Sequence, residues 1–221
     1  LSILYGVGVG PGDKELVTVK ALNAINNSEV IVAPSAEDGG ESIAFQTVEG
    51  YITGDKKVYK MHFPMGKADK EEKIKKIYEL IYSELKAGNN VSFLTIGDPY
   101  VYSTYIHLLT YIKSKGFDVV TIAGITSFCA AASLVNQTLV VGNEPLLILP
   151  AARVDDIKDE KYVVIMKVYK NEEKVINKLE EKGFKYVLVS RVGRDGEVVL
   201  TNREDILNHR DYMSLIIANK E

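Results

Sequence analysis

Short apolar runs and longer stretches with helical spacing alternate along the first half of the chain. Residues 3–9, 29–33, 57–61, 91–96 and 119–122 are the apolar runs and predict strands, with 57–61 at a sheet edge. Between them, 14–26 predicts a helix with Leu16, Val19 and Leu22 on one face and Asp13 as N-cap. Residues 41–48 predict a second helix, and 34–40 a loop. Residues 68–87 predict a third, with Ile74, Ile77, Ile81 and Leu85 on its inner face, a solvated Lys/Glu face opposite and Gly88 as its stop. Residues 102–113 predict a fourth, closed by Gly116. Beyond residue 120 the rhythm tightens. A helix of small residues at 128–134 is followed by predicted strands at 139–141, 146–149, 162–168, 186–192, 197–201 and 213–218. A polar connection spans 150–159, one amphipathic helix covers 172–182, and a hairpin turn falls near Asp195-Gly196. Strand–helix alternation followed by closer strands predicts two α/β domains, 1–120 and 121–221, with a cleft between them as the default ligand site.

Composition narrows the chemistry more than the fold. The 221 residues are 46% hydrophobic and 26% charged, which suits a soluble globular protein. A net charge of −3 argues against a broad nucleic-acid surface. No apolar run is long enough to span a bilayer and no signal peptide is evident, so a cytoplasmic protein without membrane partners is expected. The single cysteine, Cys129, is expected to be a buried, inert thiol, and it fits a reducing compartment. Three scattered histidines give no metal-ligand cluster, and His107 reads as a structural helix residue.

The candidate chemistry sits at strand ends. Gly97-Asp98-Pro99 interrupts the run at 91–96 just before a helix, where open α/β sheets place ligands. Gly97 permits close approach to the main chain, and Pro99 steers Asp98 away from helix. Gly6, Gly8, Gly10 and Gly12 crowd the end of the first strand with Pro11. Neither register gives a dinucleotide fingerprint, because Pro11 or Asp13 falls where the third glycine is needed. A close-packed turn that also touches a ligand fits better than a phosphate loop. Thr126-Ser127 and the stretch around Met166 complete the set. His62-Phe63-Pro64-Met65 is either a core-capping turn or a cavity wall. No nucleophile–base pair or carboxylate dyad is present, so the chemistry rests on positioning two bound molecules.

The blocks V-G-V-G-P-G-D-K-E-L-V-T-V-K-A, G-D-P-Y-V-Y-S-T and A-G-I-T-S-F, in that order, resemble the tetrapyrrole methylase family over essentially the whole chain. The Tyr102-Ser103-Thr104 ending and Phe63-Pro64-Met65 most resemble the branch that methylates carbon 20 of precorrin-2 or cobalt-factor II in cobalamin synthesis. The resemblance implies S-adenosyl-L-methionine as methyl donor, a carboxylate-rich tetrapyrrole as substrate, and a homodimer. It implies that Pro11 lines the adenosyl pocket, and that Gly97, Asp98 and Val101 hold the methionine portion. Thr126 and Ser127 would contact the same ligand, and Met166 and Val192 would bracket the adenine. Asp98 would pair with the donor's ammonium group or act as base, and Tyr102 or Ser103 would orient the ring. Arg153, Lys167, Arg191 and Arg194 are the basic residues available to its carboxylates. The family often has glycine where Lys167 stands. Open alternatives are another ring carbon, a diphthine precursor, or a non-catalytic tetrapyrrole-binding protein.

Overall fold

A computed structural model describes residues 2–35, 39–63 and 70–220. Pro64 and Met65 of the expected apolar turn lie outside the described residues. The chain divides into two compact units, Leu1–Thr126 and Ser127–Glu221.

The first unit is a parallel sheet. Its strands are β1 (Ile3–Gly8), β2 (Val30–Ser35), β3 (Lys57–His62), β4 (Val91–Thr95) and β5 (Asp118–Ile122), in the order β3-β2-β4-β1-β5. Helices α1 (Val19–Asn26), α2 (Ile43–Val48), α3 (Lys70–Lys86) and α4 (Tyr105–Ser114) connect them. Strand periodicity sorts the core into two layers. Val7, Val9, Ile31, Ala33 and Leu94 face Ala21, Ala24 and Ile25 of α1 and Ala44 and Val48 of α2. Leu4, Val30, Val32, Val91 and Phe93 face Ile77, Ile81 and Leu85 of α3 and Tyr105, Leu108 and Ile112 of α4. The outer face of α3 carries exposed pairs, among them Glu72 with Lys76 at 2.7 Å.

Three predicted elements differ. The helix at 14–26 is broken: Asp13 accepts from Glu15 N and caps a single 3-10 turn, Lys14–Leu16, while Thr18 caps α1 by accepting from Ala21 N. The inner face of α1 is therefore Ala21, Ala24 and Ile25, and Val19 is exposed. The helix predicted from 102 starts at Tyr105, because Tyr102 has φ +50, outside the helical region. Pro34 lies within β2; that strand pairs with β4 only as far as Val32, so Pro34 sits where it has one neighbour.

The second unit holds α5 (Ser127–Leu134), β6 (Leu146–Pro150), a 3-10 segment at Ala151–Asp156, β7 (Tyr162–Met166), α6 (Glu172–Glu181), β8 (Lys185–Ser190), β9 (Val198–Leu200), α7 (Arg203–Asn208) and β10 (Ser214–Asn219). Its sheet runs β6-β7-β10-β8-β9, with β6 and β7 parallel and the other neighbours antiparallel. Val175, Ile176 and Leu179 of α6 and Ile206 of α7 pack on Val163, Ile165, Leu188 and Ile216. Residues 139–141 form no strand and are irregular. Helix α7 escaped the periodicity because it is six residues long; its signal is Asn202, whose side chain caps Glu204 N and Asp205 N.

Candidate active site

Strand order fixes where the first unit can hold a ligand. β1 and β4 are neighbours, yet the chain leaves β1 toward β2, past β4, and leaves β4 toward β5, past β1. Such a divergence opens a crevice at the carboxyl ends of the two strands. There the main chains are stapled together. Val9 N donates to Thr95 O at 2.9 Å, Gly97 N to Gly10 O at 2.7 Å, and Gly10 N to Gly97 O at 3.3 Å. Gly10 and Gly97 hold φ of +79 and +70, the left-handed region that glycine enters without strain. A Cβ on Gly8 would lie 2.5 Å from Gly124 N, and one on Gly124 would overlap the Gly97 carbonyl oxygen. Three strand ends thus meet backbone to backbone, and this close approach accounts for Gly8 and Gly124. Pro11 is buried directly beyond the bridge.

Asp98 is half-buried and ties this junction together. Its Oδ1 accepts from Tyr100 N at 2.8 Å and its Oδ2 from Gly124 N at 3.0 Å. Val101 N closes the turn onto Asp98 O at 3.2 Å. Ser103 Oγ accepts from Tyr105 N at 3.1 Å and so organises the first turn of α4. The side chains of Tyr100 and Tyr102 are exposed at the rim. Thr95 Oγ1 and Thr126 Oγ1 are buried without a hydrogen-bond partner among the described residues. Buried hydroxyls are ordinarily satisfied, so these two mark places for a ligand or water. Ser127 opens α5.

One organising residue escaped the sequence reading. Tyr105 is fully buried, and its ring fills the space where a Gly6 side chain would be. Its hydroxyl shares a 2.7 Å hydrogen bond with Thr121 Oγ1, which also accepts from Tyr100 OH at 3.0 Å. Burial pushes the Tyr105 phenol up to about 12, so it remains neutral. A glycine inside an apolar strand was the available signal.

In the second unit the expected residues share one end of the sheet. The register pairs Pro150 with Met166, Met166 with Leu215, and Ser190 with Ser214. Met166, Lys167, Arg191, Val192 and Arg194 therefore follow strand ends at the same rim, with Arg153 just beyond β6. Met166 is half-buried and Val192 buried. Lys167 holds φ +59, which explains why glycine suits that position. Arg153 is paired with Asp156, and Arg191 Nε donates to Asp211 Oδ2 at 2.6 Å. His107 lies exposed on α4. Cys129 is exposed, contrary to expectation, because α5 buries Phe128, Ala130 and Ala131 instead. Among the described residues no three His, Cys, Asp or Glu side chains gather to hold a metal, and no helix is long and apolar enough to cross a membrane.

A glycine-stapled switch point in a parallel α/β unit, joined in sequence to a mixed-sheet α/β unit, defines a two-unit α/β protein with a ligand-type strand-end junction in its first unit. Comparison gives that class its family. The model of the Tetrapyrrole (Corrin/Porphyrin) Methylases matches residues 3–207, and the chain belongs to this family. It is 36% identical to the "Probable cobalt-precorrin-2 C(20)-methyltransferase" of Methanocaldococcus jannaschii, over 98% of this chain and 96% of that one. It is 31% identical to the precorrin-2 C(20)-methyltransferase of a Sinorhizobium species, over 97% and 94%. The cobalt-precorrin-2 C(20)-methyltransferase of Salmonella typhimurium is 28% identical over 99% and 96%. Among solved structures, a cobalt precorrin-4 methyltransferase superposes with a TM-score of 0.79 at 19% identity, covering 98% of this chain and 94% of the other. The uroporphyrin-III C-methyltransferase of Thermus thermophilus, complexed with S-adenosylhomocysteine, has a TM-score of 0.74 at 19% identity, covering 100% and 98%. These two likenesses establish the fold.

Proposed function

We propose that the chain is an S-adenosyl-L-methionine-dependent methyltransferase acting on carbon 20 of cobalt-factor II (or precorrin-2) in cobalamin biosynthesis. The observation that carries this reading is that relatives named for carbon-20 transfer align with nearly the whole of this chain and of their own. The site geometry is consistent with it. Group transfer between two bound molecules needs alignment and exclusion of water more than reactive side chains.

The residues present fit the donor. Thr95 and Thr126 offer buried hydroxyls without partners among the described residues, and the Gly8–Gly97–Gly124 junction brings main chain together without side chains between. When bound, the donor supplies an electrophilic methyl group on a sulfonium. Gly97, Asp98 and Val101 would hold its methionine portion, with Pro11 beside the adenosyl group and Thr126 and Ser127 adding polar contacts. Each oxygen of Asp98 already accepts one main-chain N–H and keeps a lone pair for an ammonium group. That arrangement favours holding over proton abstraction, so we assign Asp98 to binding. Ser103, engaged with Tyr105 N, positions α4, and Tyr102, whose side chain is exposed at the rim, would orient the ring.

The test is an anaerobic assay offering cobalt-factor II and precorrin-2 with methyl-labelled donor, read by product NMR. Label at carbon 20 is expected. Label at another ring carbon, or ring binding with no donor binding, would replace this reading.

A further inference from the structure

The hairpin between β8 and β9 carries a guanidinium with one buried nitrogen that has no hydrogen-bond partner among the described residues. Arg191 holds φ +52 and reaches across the tip. Its Nε meets Asp211 Oδ2 at 2.6 Å, and a Cβ on Gly196 would sit 3.2 Å from its Nη1. Asp211 is anchored in turn, since Oδ1 accepts from Met213 N at 2.8 Å, and Arg191 N donates to Met213 O at 3.0 Å. Gly193 N donates to Glu197 Oε2 at 2.7 Å within the same hairpin. Arg194 stands beside this frame. Its Nη1 is buried and has no hydrogen-bond partner among the described residues, and His209 Nε2 is buried and unpartnered too. Burial and the neighbouring Arg191 charge both act against the Arg194 cation, and Asp211 is the opposing charge that favours it. One carboxylate therefore faces two guanidiniums.

A buried guanidinium nitrogen without an acceptor is costly, and a ligand oxygen is a partner that would complete it. We infer that Arg194, held by the Arg191–Asp211 pair, is a carboxylate-recognition residue, and that its ligand is a peripheral carboxylate of the tetrapyrrole. The inference rests on the proposed substrate class and extends it to a specificity-determining contact. Arginine suits the role because its planar fork matches a carboxylate. The methyl donor also bears a carboxylate, so the experiment must separate the two sources.

Arg194→Gln and Arg194→Lys are to be compared with the full-length wild type in three measurements: melting temperature without ligand, S-adenosylhomocysteine affinity by calorimetry, and affinity for uroporphyrin by fluorescence quenching. Uroporphyrin serves as a stable, carboxylate-rich probe. A Gln variant that melts no lower than wild type, binds uroporphyrin about tenfold or more weakly, and binds S-adenosylhomocysteine unchanged is expected. Lys should recover part of the affinity. Unchanged uroporphyrin affinity overturns the inference. So does weakened S-adenosylhomocysteine binding with the ring unaffected, which would give the contact to the donor. A lowered melting temperature with both affinities reduced would show a structural arginine. A wild type that binds neither probe would sink the proposed function itself, and needs no variant to reveal it.

Discussion

Asp98 gives the sharpest test of how the crevice is built. Two substitutions separate its structural work from ligand binding. Asp98→Ala removes both acceptors, leaving Tyr100 N and Gly124 N without partners until water reaches them. A hydrogen bond to a charged acceptor contributes about 1.5–3 kcal/mol. For a half-buried side chain whose neighbours can hydrate, the lower end applies, and a total of about 2–4 kcal/mol follows for the pair. In a chain of this size that is a fall in melting temperature of roughly 4–16 °C. Asp98→Asn is not conservative here. One amide position keeps its oxygen, but the other places an NH2 against a main-chain N–H, so one bond becomes a donor–donor contact. About half the Ala effect is expected at least.

Calorimetric melting and titration with S-adenosylhomocysteine read the two roles separately. Both variants should melt lower and bind more weakly. If Asp98→Ala melts with wild type, the carboxylate does not staple the turn to Gly124, and the geometry argued above is wrong. If it melts lower yet binds S-adenosylhomocysteine normally, the carboxylate is structural only and the binding assignment fails.

Three further outcomes follow from the same packing. Gly124→Ala drives a methyl group into the Gly97 carbonyl, so turnover should collapse with a loss of about 2 kcal/mol or more in urea unfolding; a wild-type midpoint would refute the close approach. Gly6→Ala should be destabilising by about 1–3 kcal/mol and partly rescued by Tyr105→Leu, which empties the slot; strictly additive effects in the double-mutant cycle would deny that the two share space. Glu84, buried among Lys57 Nζ (2.8 Å), Tyr59 OH (2.7 Å) and Asn89 Nδ2 (2.7 Å), has its carboxyl held below the usual range, chiefly by Lys57. A depressed folded value means the stabilisation is present above the unfolded pKa of about 4.3 and is lost as pH falls through the folded value. Glu84→Gln should thus melt lower than wild type at pH 7, with the gap closing toward pH 3; a gap independent of pH would contradict the assignment.

Elements with strong local signals were legible. The five parallel strands, the α3 stripe of Ile77, Ile81 and Leu85, and the hairpin around Asp195-Gly196 all rest on periodicity or turn chemistry. Failures came where a local hydrogen bond overrode the apolar pattern. Leu16, Val19 and Leu22 have helical spacing, yet Thr18 starts a new helix between them. Tyr102 and Ser103 continue an amphipathic run, yet a left-handed turn and the Ser103 cap delay α4 to Tyr105. Leu139 and Val140 look like strand residues but have no partner strand, and pairing is what stabilises such a run.

The crevice was legible only in outline, because its construction is mostly main chain. Gly6 and Gly8 lie on one face of β1, two residues apart, so that face of the strand end lacks side chains. One gap admits the Tyr105 ring and the other admits the β5 loop at Gly124. Sequence shows that side chains are missing; it does not show what enters the space. Asp98 illustrates the converse. Its position at a strand end suggested a ligand contact, but the partners it holds, Tyr100 N and Gly124 N, are main-chain groups whose approach depends on the order β4-β1-β5. The same carboxylate therefore cannot be assigned a role from its neighbours in sequence. It must first satisfy the junction, and only its remaining lone pairs are available for chemistry.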